Sequence, residues 1–185
     1  MKTRIAPAEA PYPPEIEARL ARLMPPGIPP LLLFRTLARD TRLFERFMDG
    51  GLLDKGNLSL RQREIVIDRI TALSGSEYEW GVHVALFAER AQLTEAQVAS
   101  TAKSGAGDPV WTEQERLLLT VCDQLHESCN IDDQTWSALG AAFAEEAILE
   151  VLMVAGFYRT VSYLTNALRL PNEPYGARFP AGARA

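Results

Sequence analysis

Between residues 31 and 170, apolar side chains recur every three or four positions, in blocks separated by glycines and by helix-capping residues. Leu31–Ala38 and Thr41–Met48 are short periodic segments that end at Gly50-Gly51. Ser59 precedes a block over about 60–73, with Ile65, Val66, Ile70 and Leu73 on one face, and Gly75 closes it. A second block runs from about Glu77 to Ala91, with Trp80, Val84, Phe87 and Ala88 at helical spacing. Thr94-Glu-Ala-Gln has the form of a capping box for a helix reaching Lys103, and Thr112-Glu-Gln-Glu opens another to about Glu127. Asp132-Asp133 begin a short helix to Ala142, and a last helix spans Glu145–Leu168, stopping before Pro171. No stretch alternates apolar and polar residues over the length of a strand. The pattern predicts an all-α domain over residues 31–170.

Prolines delimit that domain. Eight of the twelve fall within residues 1–30 and three within 171–185. Proline lacks a backbone donor and clashes inside helices, so both ends are expected to be extended. The result is a proline-rich N-terminal arm (1–30), with at most a short helix over Glu15–Leu23, and a C-terminal tail (171–185). The arm has little of its own to pack against and is expected to wrap a neighbouring subunit.

Composition narrows the class further. A chain of 185 residues with 47% apolar content suits one compact domain. With 23% charged residues and a mean hydropathy of −0.08, it is not a disordered or fibrous sequence. The net charge of −5 and a pI near 5.2 repel phosphate backbones, so no nucleic-acid partner is expected. The most apolar stretch, Ala147–Tyr158, is too short to cross a bilayer, so no membrane partner is expected either. Cys122 and Cys129 cannot build a disulfide framework and form no C-x-x-C pair, and the first residues lack an apolar leader. A cytoplasmic protein is the expectation.

Only two histidines are present, His83 and His126. Glu79 lies four residues before His83, so on a helix the two share a face. Glu64 is twelve residues before Ser76, and a turn at Ser74-Gly75-Ser76 would carry it towards the same face. An imidazole beside carboxylates is a workable acid–base device, because the carboxylate fixes the tautomer and raises the ring's pKa. On its own, such a pair is more often a solvated contact on a helix surface.

The spacing Glu64-x11-Ser76-x2-Glu79-x3-His83 resembles that of the carboxymuconolactone decarboxylase / alkylhydroperoxidase D-like superfamily, whose peroxidase branch carries Glu-x11-Cys-x2-Cys-x3-His. Tyr78-Glu79-Trp80, Ala91-Gln-Leu-Thr-Glu, Asp123-Gln-Leu-His126, Ile131-Asp-Asp-Gln-Thr-Trp136 and Tyr163-Leu-Thr-Asn166-Ala-Leu extend the resemblance over about residues 31–175. It implies an alkylhydroperoxidase D-like helical bundle and a homo-oligomer (dimer, trimer or hexamer). Both redox-cysteine positions are replaced, by Ser76 and Glu79, and neither residue can cycle as a thiol. Thiol-dependent peroxidase activity is therefore disfavoured, which leaves the decarboxylase-like side of the family. The expected function is cofactor-free acid–base chemistry (decarboxylation, isomerisation or lactone processing) on a small organic acid or lactone. His83 would be donor or base, with Glu79 and Glu64 tuning or relaying its proton. The alternative is a non-catalytic, ligand-binding or structural relative.

Around that core, Ser76, Trp80, Tyr158 and Arg159 are candidate substrate-binding residues. Arg159 stands in the most apolar helix, where a charge is costly unless paired; it suits either a substrate carboxylate or an internal salt bridge. Tyr158 and Tyr163 have hydroxyls to offer the same cavity, and Trp80 suits packing or a pocket wall. Asn166 is expected to bond backbone, and His126 to pair with its helix end or a carboxylate. The ligand types of Glu64, Glu79, His83 and His126 would suit a metal, but the Glu-x-x-His repeat of paired-metal bundles is absent, so neither metal nor cofactor is expected.

Overall fold

The computed structural model describes residues 3–24 and 27–183. Pro25 and Pro26, two of the arm's prolines, lie outside the described residues. Among the described residues there are nine α-helices and no strand: α1 (Pro14–Leu23), α2 (Leu32–Leu37), α3 (Thr41–Asp49), α4 (Leu60–Leu73), α5 (Glu77–Phe87), α6 (Glu95–Thr101), α7 (Glu113–Ser128), α8 (Asp133–Ala142) and α9 (Glu145–Leu168). The all-α architecture and most boundaries follow the periodicity. Ser59, Thr94 and Thr112 each cap a helix through a reciprocal box with a Gln or Glu three residues on, so the capping signals acted where the sequence placed them.

Helix α4 is the centre, packed against α5, α7 and α9. Ile65, Val66 and Ile67 have no exposed surface, and the unbroken run Arg63–Ala72 is buried on all sides. That burial exceeds what a one-faced amphipathic helix would show. It also takes Glu64, Asp68 and Arg69 out of water, so each needs a partner. Arg69 finds Asp123 at 2.6 Å and the Thr101 carbonyl at 2.8 Å, beneath Gly105, whose left-handed φ of +54° leaves room for the guanidinium.

Helix α5 ends at Phe87, one turn earlier than the sequence predicts, because Ala91 N–H and Leu93 N–H bond back to Phe87 and Ala88 in a tight turn through Gln92 at φ +55°. Helix α9 is 24 residues long and is apolar enough by length and composition to span a bilayer, which the twelve-residue reading of its apolar stretch missed. Here it is a core helix with Ile148, Val151, Val154, Ala155, Tyr158 and Val161 buried.

Both terminal segments belong to the folded body. Contrary to the expectation of an arm with little to pack on, α1 docks onto its own chain, with Ile16 and Leu20 buried against Ala38 and Phe44. The tail is held at three places. Glu173 accepts hydrogen bonds from Leu32 N–H and Tyr78 O–H, Ala177 N–H bonds the Gly81 carbonyl, and Phe179 packs against Trp80.

Gly81 is where the tail touches α5 directly. A Cβ there would lie 2.3 Å from the Ala177 carbonyl oxygen, a backbone atom that cannot rotate away. Gly81→Ala is expected to detach the tail while leaving the helices formed. Limited proteolysis would then cut within residues 172–183 many times faster than in the parent chain, with unchanged far-ultraviolet circular dichroism.

Candidate functional site

The turn between α4 and α5 builds the site. Gly75, at φ +65°, ends α4, and Ser76 caps α5 by accepting from Glu79 N–H while sharing a hydrogen bond with Thr165 Oγ1 at 2.8 Å. The two helices then face each other, and His83 on α5 meets Glu64 on α4. Nδ1 of His83 is 2.7 Å from Glu64 Oε2, with side-chain exposures of only 4% and 1%. On its other side, Nε2 is 3.5 Å from Glu79 Oε1, too long for a committed hydrogen bond. Tyr158 from α9 meets the ring edge-on, and Phe87 packs on it at a tilt.

Electrostatics fix the ring's protonation. Burial alone would pull the imidazole down, but the Glu64 charge and hydrogen bond, with Glu79 behind them, overcome it and push His83 up to about 10. The ring is an imidazolium at neutral pH, donating Nδ1–H to Glu64. Asp68, one turn after Glu64, is pushed well above the usual carboxylate range by burial and by the Glu64 charge. Burial, then the Glu79 and Glu64 charges, raise the Tyr158 hydroxyl as well.

His83, Glu79 and Tyr158 line a cavity of about 420 Å³. Glu64 is behind the ring rather than in the wall. The remaining lining is mostly apolar, including Phe34, Phe47, Phe87 and Phe157, and Leu23 and Leu53 are exposed at its mouth. Oε2 of Glu79 and Oδ1 of Asp68 are both buried with no hydrogen-bond partner, an uncommon state for carboxylate oxygens.

Three of the seven residues singled out from the sequence are elsewhere. Ser76 is fully buried in its capping role. Trp80 packs with Ala72, Ala102 and Phe179 and donates Nε1–H to Thr101 Oγ1. Arg159 is on the far side of α9, where it donates to His126 Nδ1 and to the Tyr163 hydroxyl; it makes neither the glutamate bridge nor the cavity contact that its sequence position suggested. Nothing orients it towards α5. Tyr163 is exposed beside it, and His126 is lowered by burial and then by the Arg159 charge, so it accepts as a neutral ring. Asn166 bonds the Ser74 carbonyl, as its position suggested.

Asp68, Arg63 and the loop over residues 49–54 went unread in the sequence. Asp68 was findable, since it is four residues after Glu64 on the same helix, the same relation that links Glu79 to His83. Arg63 Nε faces Glu64 Oε1 at 3.4 Å, and its Nη1 donates to the Asp54 carbonyl at 3.1 Å. The loop carries no periodic signal. Among the described residues, no three His, Cys, Asp or Glu side chains are grouped to hold a metal ion.

Comparison with known proteins agrees with this fold. Residues 41–123 match the carboxymuconolactone decarboxylase family. No curated protein sequence matches the chain. Among solved structures, an uncharacterized peroxidase-related protein from Silicibacter sp. TM1040 superposes with a TM-score of 0.79 at 16% identity, over 97% of this chain and 99% of that one. The debrominase Bmp8 with 2,3,4-tribromopyrrole bound gives 0.76 at 16% identity, over 95% and 94%. An alkylhydroperoxidase AhpD core protein from Ralstonia eutropha JMP134 gives 0.70 at 16% identity, over 92% and 93%. At these identities the likeness is one of fold. The family's sequence pattern spans the Glu64–His83 motif, and the fold of these relatives runs through nearly the whole chain, while Ser76 and Glu79 stand where the resembled peroxidase branch has its redox cysteines.

Proposed function

We propose that this chain is a thiol-independent acid–base enzyme that moves protons on a small organic molecule bearing a carbonyl, an organic acid or lactone, through an enolate-like intermediate. The observation that carries this reading is the placing of Glu79 and a buried His83 side by side in the wall of a mostly apolar cavity, with Glu64 fixing the ring from behind. A relative whose motif merely joined two helices would have no hollow beside that pair.

The roles follow from protonation. His83 holds its proton at neutral pH, so it serves as donor and oxyanion stabiliser rather than base. Glu64 fixes the ring through Nδ1 and leaves Nε2–H for a guest's carbonyl oxygen. The Glu79 carboxylate removes a proton from the carbon next to that carbonyl, and the electron pair of the broken C–H bond becomes the enolate. Returning the proton to a different carbon isomerises the substrate. Where a carboxylate leaves as carbon dioxide, the same enolate forms and is then protonated. Apolar walls keep water away and strengthen each of these interactions.

A sulfur route has no support in the wall of this cavity. Neither cysteine lines it, and burial pushes the Cys122 thiol far above neutral, where a thiolate is scarce. The fold relative named as a debrominase is in complex with 2,3,4-tribromopyrrole, a compact ring of the size this cavity could take.

The direct test is deuterium uptake from heavy water by a panel of small lactones and keto acids, followed by NMR. His83→Ala is expected to lower exchange and turnover by about a hundredfold or more with unchanged helicity. Full activity in that variant on every responsive compound would reject the assignment.

Protonation also sets the pH response. Activity that needs the imidazolium is expected to persist above neutrality and to fall as the pH passes about 10. Glu64→Gln removes the main support of that charge, so the alkaline limb and the NMR titration of the ring are expected to move to lower pH.

The same shift links to stability. The folded-state pKa of about 10 lies above the ordinary imidazole value of 6.5, so the ring's contribution is fully present below about pH 6.5 and is lost as the pH rises through about 10. The urea-midpoint gap between the parent and His83→Asn is expected to be wide at pH 6 and to close above pH 10.

A further inference from the structure

The cavity that holds His83 is poor in positive charge. Among the described residues its wall contains three carboxylates, Asp49, Asp54 and Glu79, and no lysine or arginine. Its one cation, the His83 ring, is already bound through Nδ1 to Glu64. Arg63 is not part of the lining, and its guanidinium is taken by Glu64 and by the Asp54 carbonyl. Arg19 pairs with Asp49 at 2.5 Å and is likewise no part of the wall. Arg159, the cation that the sequence offered for a substrate carboxylate, contacts His126 and Tyr163 in a separate crevice.

An anionic guest would therefore lose its hydration beside Glu79, with the His83 Nε2–H as the one charged donor in the wall and no guanidinium to add to it. Desolvating a charge beside like charges is among the strongest ways a site rejects a ligand. A neutral guest meets different terms. Four phenylalanine rings, Phe34, Phe47, Phe87 and Phe157, offer it apolar contact, and Glu79 Oε2 lacks a hydrogen-bond donor. A hydrogen bond to a charged acceptor in such surroundings is stronger than one between neutral groups.

We infer that this cavity is built for an uncharged, ring-sized organic molecule that donates one O–H or N–H hydrogen bond to the Glu79 carboxylate, and that it rejects carboxylates. The inference rests on the cavity being the reaction site. It narrows the substrate from organic acids and lactones to neutral lactones, enols and their like. Decarboxylation of a free acid then gives way to isomerisation or lactone processing.

Three naphthalenes that differ in one substituent test it on the full chain at pH 7, by calorimetric titration with the His83 ring followed by NMR. They are 2-naphthol (neutral, with a donor), 2-methoxynaphthalene (neutral, without one) and 2-naphthoate (anionic). The expected result is that 2-naphthol binds at least tenfold tighter than the ether and about a hundredfold tighter than the acid, and shifts the His83 resonances. In Glu79→Gln, the advantage over the ether is expected to shrink severalfold while naphthoate binding strengthens. Naphthoate binding as tightly as naphthol, or none of the three binding, overturns the inference. The two readings fail separately. Naphthoate as the best ligand, with turnover lost in His83→Ala, sinks the neutral substrate and keeps the acid–base site. Naphthol as the best ligand, with turnover intact in His83→Ala, does the reverse.

Discussion

The site depends on one buried ion pair. Glu64 and His83 come from different helices, meet at 2.7 Å and are almost wholly out of water. Removing either would leave the other charge stranded, a loss of about 3–5 kcal/mol for pairs of this kind. Because the pair spans the α4–α5 hairpin, the geometry of the turn at Gly75 and the charge state of the ring are one constraint. Glu64 consumes Nδ1, so the only N–H that the ring can present to a guest is Nε2. Glu79, one turn away on the ring's own helix, completes the arrangement without closing it, since its 3.5 Å approach leaves Nε2 only loosely engaged.

On the proposed function, this pairing takes the place of the thiols of the peroxidase branch that the motif resembles. The second of those cysteine positions carries Glu79, which brings two acceptor oxygens to the same residue position, so the proposed site trades a nucleophile for a base next to an acid. Asp68 adds to the arrangement from behind. Burial and the Glu64 charge push its carboxyl well above the usual carboxylate range, which favours its neutral form beside the pair.

Much of this was legible in the sequence. The helices were readable because capping boxes at Ser59, Thr94 and Thr112 and a 3.6-residue apolar period are local signals, and local signals survive folding. Glu64, Glu79 and His83 were readable because their spacing places them across one helical hairpin. Arg159 was misread because its reach depends on the rotation of α9 about its axis, which the packing of Ile148, Val151 and Val154 against α4 and α7 decides, and no local pattern records it. Ser76 and Trp80 belong to the motif by position, yet they hold helix ends and the tail rather than the cavity. The aromatic wall was out of reach for a simpler reason: Phe34, Phe47, Phe87 and Phe157 come from four separate helices, and only tertiary contact makes them neighbours.

Glu173 receives Leu32 N–H from 141 residues earlier and Tyr78 O–H from 95 residues earlier. Helix α2, which that bond fastens at its first turn, supplies Phe34 to the cavity wall. During synthesis, the pieces of the hollow therefore emerge well before the acid that ties them down, and they wait unsealed until residue 173 has been made.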